Sequence, residues 1–131
     1  MNIITVKWGD KYTCEHVNVL YDSIINKLQW GEHEDSINFY CYTDDIYNLR
    51  DNIRVLPLED LGLDGVWNKL ALFKPGILPE GKWLYLDLDV IIQSDISDLD
   101  ELALKPRLIN VTWDNPKRIH ERRFIEIRGT L

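Results

Sequence analysis

Along this chain, short β-rich runs alternate with stretches of helical period, and that alternation limits the fold more than any other feature. Residues 2–8 (NIITVKW) are mostly apolar and β-branched and stop at Gly9-Asp10, which reads as a strand followed by a turn. From Thr13, a helix N-cap, Val17, Leu20, Tyr21, Ile24, Ile25 and Leu28 recur at spacings of three and four. That spacing predicts an amphipathic helix, closed by the GEHEDS turn at 31–36. Further strands are expected at 37–43 (INFYCYT, stopped by Asp44-Asp45), 53–58 (IRVLPL) and 83–92 (WLYLDLDVII), with a helical segment at 66–73 (VWNKLALF) that halts at Pro75-Gly76. SDLDELALKP (97–106) predicts one or two helical turns, LINVTW (108–113) a strand and RFIEI (123–127) a last short one. Strands that alternate with helices build an α/β sandwich with a mostly parallel central sheet flanked by helices. The 131 residues suit one domain, 1–131, with no internal repeat, linker or low-complexity tract.

Charge and cysteine content narrow the function classes. Fifteen basic against 22 acidic residues give a formal charge of −7, which argues against broad binding to nucleic acid or to an anionic membrane. The balance is local, however: residues 116–131 form a basic C-terminal segment, with Lys117, Arg118, Arg122, Arg123 and Arg128 against Glu121 and Glu126. Such a segment is either a solvated terminus or a contact for an anionic ligand. Cys14 and Cys41 are too few and too far apart for a disulfide scaffold or a metal knuckle, and reduced, buried thiols are expected. No apolar run is long enough to span a membrane, and MNIITVKWGD lacks the pattern of a secretory leader. A cytoplasmic protein is the expectation.

The chemistry concentrates in WLYLDLDVII, where Asp87 and Asp89 interrupt an otherwise apolar or aromatic run. In a strand, residues i and i+2 share a face, so the two carboxylates are expected side by side. Burying one unpaired carboxylate is costly, and a second beside it adds like-charge repulsion, so something positive must compensate. A divalent cation does so well, because paired carboxylates supply the hard oxygens that Mg²⁺ or Mn²⁺ prefers. The position agrees, since ligands of open parallel sheets collect beyond the carboxyl ends of the strands, and a strand proper of WLYLD leaves the pair at its edge with Val90 beginning the exit. In a chain with 14 aspartates, Asp-x-Asp also arises by chance, and Asp98 and Asp100 in SDLDE are such a pair. Chance accounts poorly for a pair framed by Leu84, Tyr85, Leu86 and Leu88 before it and Val90, Ile91 and Ile92 after it.

Haloacid dehalogenase-like phosphatases end a strand in such a motif, with the first Asp as nucleophile. They carry it near the N-terminus and need further elements downstream, whereas here 42 residues follow Asp89. A second likeness runs along most of the chain. VKWGDKY after strand one, VNVLYDSI on helix one, FYCYTDD at the end of strand two and GVWNKLALFKPGILPEGKWLYLDLDVII come in one order. In these the sequence resembles the GT-A nucleotide-diphospho-sugar transferases, especially the glycogenin-like branch, and it does so over roughly residues 2–130. What it resembles is the donor-binding half of those enzymes.

The resemblance implies a Rossmann-like GT-A sandwich, truncated, that acts as a metal-dependent glycosyltransferase. Asp87 and Asp89 would hold Mn²⁺ or Mg²⁺, and the ion would grip the diphosphate of a nucleotide-sugar donor, with a UDP-sugar favoured. Lys69, in Trp-Asn-Lys-Leu, matches a basic residue facing the donor; otherwise it is a solvated helix lysine. With Asp87 and Asp89 it makes up the expected catalytic set. Val6, Lys7, Trp8, Gly9 and Tyr12 correspond to the nucleoside pocket, where backbone groups read the uracil edge and Tyr12 matches the aromatic that stacks on the base. Leu88 adds a donor contact between the two acids. Relatives often carry an acid at the place of Gly9 with alanines before it, where this chain has Lys7 and Trp8. Trp8 lines the pocket or packs in the core; Asp44 and Asp45 lie at the same edge or cap a turn. His120 lies in the basic segment, away from the late histidine motif that completes the metal site in relatives. Three readings stay open: a minimal metal-dependent transferase or one that lets water take the sugar, a module that binds nucleotide sugars without turnover, and an assembly component completed by a second copy, as a homodimer, or by another chain.

Overall fold

The structure, a computed structural model, describes residues 1–29, 36–102, 107–110 and 123–126. Four strands, β1 (Asn2–Lys7), β2 (Asn38–Thr43), β3 (Arg54–Pro57) and β4 (Trp83–Tyr85), form one sheet in the order β3-β2-β1-β4, with every pair parallel. The expected α/β class with a parallel sheet is therefore present. Helix α1 (Cys14–Asn26) joins β1 to β2, and a 3-10 helix (Gly65–Phe73) lies between β3 and β4. A short helix, α2 (Leu99–Leu102), follows. The strands β5 (Arg107–Asn110) and β6 (Arg123–Glu126) pair antiparallel as a separate two-stranded sheet. Residues 31–35 of the expected GEHEDS turn, most of the basic segment and His120 lie outside the described residues.

Both faces of the parallel sheet are covered, which is why β1 reads as a near-continuous apolar run. On one face Ile3, Phe39 and Cys41 meet Val17, Leu20, Tyr21 and Ile24 of α1. Each such aliphatic side chain taken out of water contributes about 1.5–3 kcal/mol. On the other face Ile4, Val6 and Tyr42 pack with Ala71 of the 3-10 helix and with Ile77. Thr13 is the N-cap of α1, and its backbone N–H donates to Nδ1 of His16 at 3.1 Å. Among the buried polar side chains, Asn18 on α1 donates to the Asn48 carbonyl at 2.7 Å and accepts from the Arg50 N–H at 2.9 Å. It thereby clamps the β2–β3 connection onto the helix. Cys14 and Cys41 are free and buried, and burial pushes the Cys41 thiol up to about 12.

Two expectations change in detail. The segment 66–73 is helical, but as a 3-10 helix rather than an α-helix, entered through Gly65 at φ 55°. The fourth strand is much shorter than WLYLDLDVII: the ladder to β1 covers Trp83–Tyr85, and the Leu86 N–H adds one last bond to the Ile4 carbonyl at 3.0 Å. Leu86, Leu88, Ile92 and Ile96 then leave the sheet and feed the core under α1. Asp87 and Asp89 therefore lie not on one face of a buried strand but in the turn beyond it, closed by the Val90 N–H on the Asp87 carbonyl at 3.2 Å.

Candidate functional site at the end of β4

The chain lays β1, β2 and β3 out in one direction and then places β4 on the opposite side of β1. The strand order thus reverses between β1 and β4, and crevices at the carboxyl ends of strands open at such reversals. Trp8 leaves the end of β1, and Tyr85 and Asp87 lie at the end of β4. The 3-10 helix brings Lys69 over the same edge, because Ala71, two residues on, is anchored in the core beneath it.

Four side chains meet there. The Lys69 ammonium pairs with Oδ1 of Asp87, and the Tyr85 hydroxyl donates to the same oxygen at 2.5 Å. The ammonium also lies 5.8 Å from the ring centroids of both Trp8 and Tyr85, a distance at which aromatic faces attract a cation. Among the described residues nothing donates to the second oxygen, Oδ2. Partial burial draws the Asp87 carboxyl upward, but the hydrogen bonds from Lys69 and Tyr85 outweigh it and leave the group below the usual carboxylate range. Burial, then the hydrogen bond to Asp87 and the charges of Asp87 and Asp89, push the Tyr85 hydroxyl well above its ordinary value, so it stays a donor. Asp89 is exposed and makes no hydrogen bond or ion pair among the described residues. The positive partner that the sequence argument required for a buried carboxylate is thus already supplied to Asp87 within the chain, by Lys69.

The loop after β1 divides its residues. Val6 and Lys7 are strand residues, paired with Tyr42 and Thr43 of β2. The Lys7 side chain, 2% exposed, is committed to Asp45 at 3.2 Å and to the Gly9 carbonyl at 3.2 Å, so its ammonium is not offered to a ligand. Gly9 turns the chain at φ 57°, a conformation that favours glycine over any residue with a Cβ. Asp45 takes the turn-capping role: it accepts the Tyr47 N–H at 3.0 Å, which together with Lys7 holds its carboxyl low. Tyr12 packs edge-on against His16 at 5.2 Å, with the Lys11 ammonium 5.3 Å from its ring. The structure therefore brings Trp8, Lys69 and Asp87 together with Tyr85, leaves Asp89 two residues on in the turn, and sets Tyr12 just before the N-cap of α1.

Sequence reasoning missed two features. Tyr85 precedes Asp87 by two residues at the end of an apolar strand, and that spacing was the available signal. The second is a groove of about 280 Å³ between α1 and the segment after β4, lined by Glu15, His16, Val19 and Ser23 on one side and Leu88, Val90 and Ile91 on the other. Its signal was Val19, apolar yet off the buried stripe of α1 and 58% exposed. Among the described residues, no group of three His, Cys, Asp or Glu side chains is placed to hold a metal ion. No helix among them is long and apolar enough to cross a membrane.

No family model matches the chain, and no curated protein or solved structure matches it. The class is defined by fold and site: an α/β protein with a parallel sheet, carrying a lysine-tethered carboxylate and a second, free carboxylate where the strand order reverses.

Proposed function

We propose that this chain binds a nucleoside-diphosphate sugar, with a UDP-sugar as the favoured donor, through a divalent cation on Asp87 and Asp89, and that it acts as a GT-A glycosyltransferase. The observation that carries the reading is the meeting of Lys69, Tyr85 and Asp87 beside Trp8 at the β1–β4 reversal. A ligand entering there meets one fixed cation and two carboxylates, the first and third residues of one turn, a mixture that suits a metal-bound diphosphate better than a bare anion. The order β3-β2-β1-β4 is also the one taken by the first part of a doubly wound nucleotide-binding sheet.

The residues fit Mn²⁺ or Mg²⁺. Among the described residues Asp87 has Oδ2 open and Asp89 is exposed and unengaged, so both would present hard oxygens to an ion of this kind. Held by Asp87 and Asp89, such an ion would supply positive charge to offset that of a departing nucleoside diphosphate. Lys69 adds a second positive charge at the same edge, pre-set by Asp87 and by the two rings, where negative charge grows as the sugar leaves. The groove next to Asp89 contains Glu15, which disfavours phosphate there and suits an uncharged part of a substrate. Gly9 and Tyr12, at the end of β1 and the start of α1, are the proposed contacts for the base.

The test is incubation of the pure protein with Mn²⁺ and a panel of UDP- and GDP-sugars, following nucleoside diphosphate, free sugar and elongated acceptor. Metal-dependent consumption of a UDP-sugar that stops in Asp89→Asn is expected. Tight binding without turnover would leave a binding module in place of an enzyme. Failure to bind any donor in the presence of Mn²⁺ would refute the proposal.

A further inference from the structure

We infer that Tyr85 is a positioning residue that, together with Lys69, sets which cation the site accepts; this rests on the metal reading of Asp87 and Asp89. Two donors, the Tyr85 hydroxyl at 2.5 Å and the Lys69 ammonium, converge on Oδ1 of Asp87. A carboxylate whose one oxygen is filled twice over has a single oxygen, Oδ2, left for a metal. Asp87 is thereby held to one-oxygen coordination and cannot clasp an ion with both.

That restriction is selective. Mg²⁺, and by its similar oxygen chemistry Mn²⁺, is served by an octahedral set of single oxygens, whereas Ca²⁺ takes about 6–8 oxygens and readily uses a carboxylate in the two-oxygen mode. Holding Oδ1 out of reach removes one of the oxygens by which Ca²⁺ reaches its larger shell. The two rings on which Lys69 rests, Trp8 and Tyr85, keep the ammonium at that oxygen, so the lock is built from β1, the 3-10 helix and β4 together. Asp89, exposed and without a partner among the described residues, would follow whichever ion arrives. Discrimination therefore resides in Asp87 and its two donors.

The experiment is cation binding by the full chain without nucleotide. Mn²⁺ is titrated and the free ion read by its electron paramagnetic resonance signal, and Ca²⁺ is measured by competition. The wild type is expected to prefer Mn²⁺. Loss of an outer-shell hydrogen bond to a ligating carboxylate weakens metal binding by about tenfold or more, so Tyr85→Phe should lose about that much for Mn²⁺ while losing clearly less for Ca²⁺. The preference should fall by at least about threefold, in a variant that still unfolds cooperatively. Lys69→Met is the second variant: its lost charge strengthens both cations alike, so their ratio reads only the freed Oδ1, and the ratio should move the same way. A ratio unchanged in both folded variants, while Asp89→Asn abolishes Mn²⁺ binding, overturns this inference and leaves the metal reading standing. A wild type that binds no Mn²⁺ overturns both.

Discussion

Replacing Lys69 with methionine removes one charge from the centre of the site and keeps most of its stem. The Lys69 and Asp87 side chains are 33% and 44% exposed. Two unit charges 4 Å apart interact by about 4 kcal/mol at an effective dielectric near 20. Solvent screening and the ordering of a long side chain reduce exposed pairs to about 0–1 kcal/mol, and a pair that is partly buried belongs near the top of that range. The expected loss is thus about 1 kcal/mol at neutral pH, or a fall in Tm of about 3–5 °C for a domain of this size. The sign with pH follows from Asp87. Partial burial raises its folded-state pKa, but the Lys69 and Tyr85 hydrogen bonds lower it further, so the net shift is downward. The stability it contributes is complete above the ordinary carboxylate value of about 3.9 and is lost as pH falls through the lower folded value. Urea unfolding of wild type and Lys69→Met, both in EDTA, should show the gap at about pH 7 and a narrower one at about pH 3. An equal gap at both would mean that Lys69 stabilises by packing over Trp8 and Tyr85, not through Asp87.

Two further perturbations test separate parts of the account. If Tyr12 stacks on the base, Tyr12→Ala should cost about 1–3 kcal/mol of nucleotide affinity and Tyr12→Phe little; equal effects in isothermal titration would remove Tyr12 from the pocket. Thr5, fully buried in β1, has a hydroxyl without a hydrogen-bond partner among the described residues. Since a buried unsatisfied polar group costs about 1–3 kcal/mol, Thr5→Val should raise the urea midpoint, and a lower midpoint would show that the hydroxyl is satisfied.

The parts of the fold that follow local rules were legible. NIITVK and NFYCYT are read as strands because both faces of the sheet are covered, and the Thr13 cap with its stripe from Val17 to Ile24 places α1. WLYLDLDVII misleads for a physical reason: the apolar residues that would continue a strand serve equally well as Leu86, Leu88 and Ile92 turned under α1. Only the pairing with β1, which ends after Ile4, decides between the two. The partner of Asp87 was out of local reach, since Lys69 is 18 residues away and meets it through the 3-10 helix. Lys7 was placed in the nucleoside loop by its neighbours in sequence, whereas its side chain is taken by Asp45, across the sheet. The groove was unreadable because it needs α1 and the segment after β4 to lie against each other.

The most direct test of the central claim is the metal requirement for donor binding. Isothermal titration of a UDP-sugar into the protein should give binding in Mn²⁺ and at least a tenfold, or about 1.4 kcal/mol, weaker interaction in EDTA. Asp89→Asn, an exposed change that leaves the fold intact, should bind in Mn²⁺ no better than the wild type does in EDTA. Equal affinity of the wild type in Mn²⁺ and in EDTA would contradict the account, because Asp87 and Asp89 would then repel the diphosphate with nothing between them.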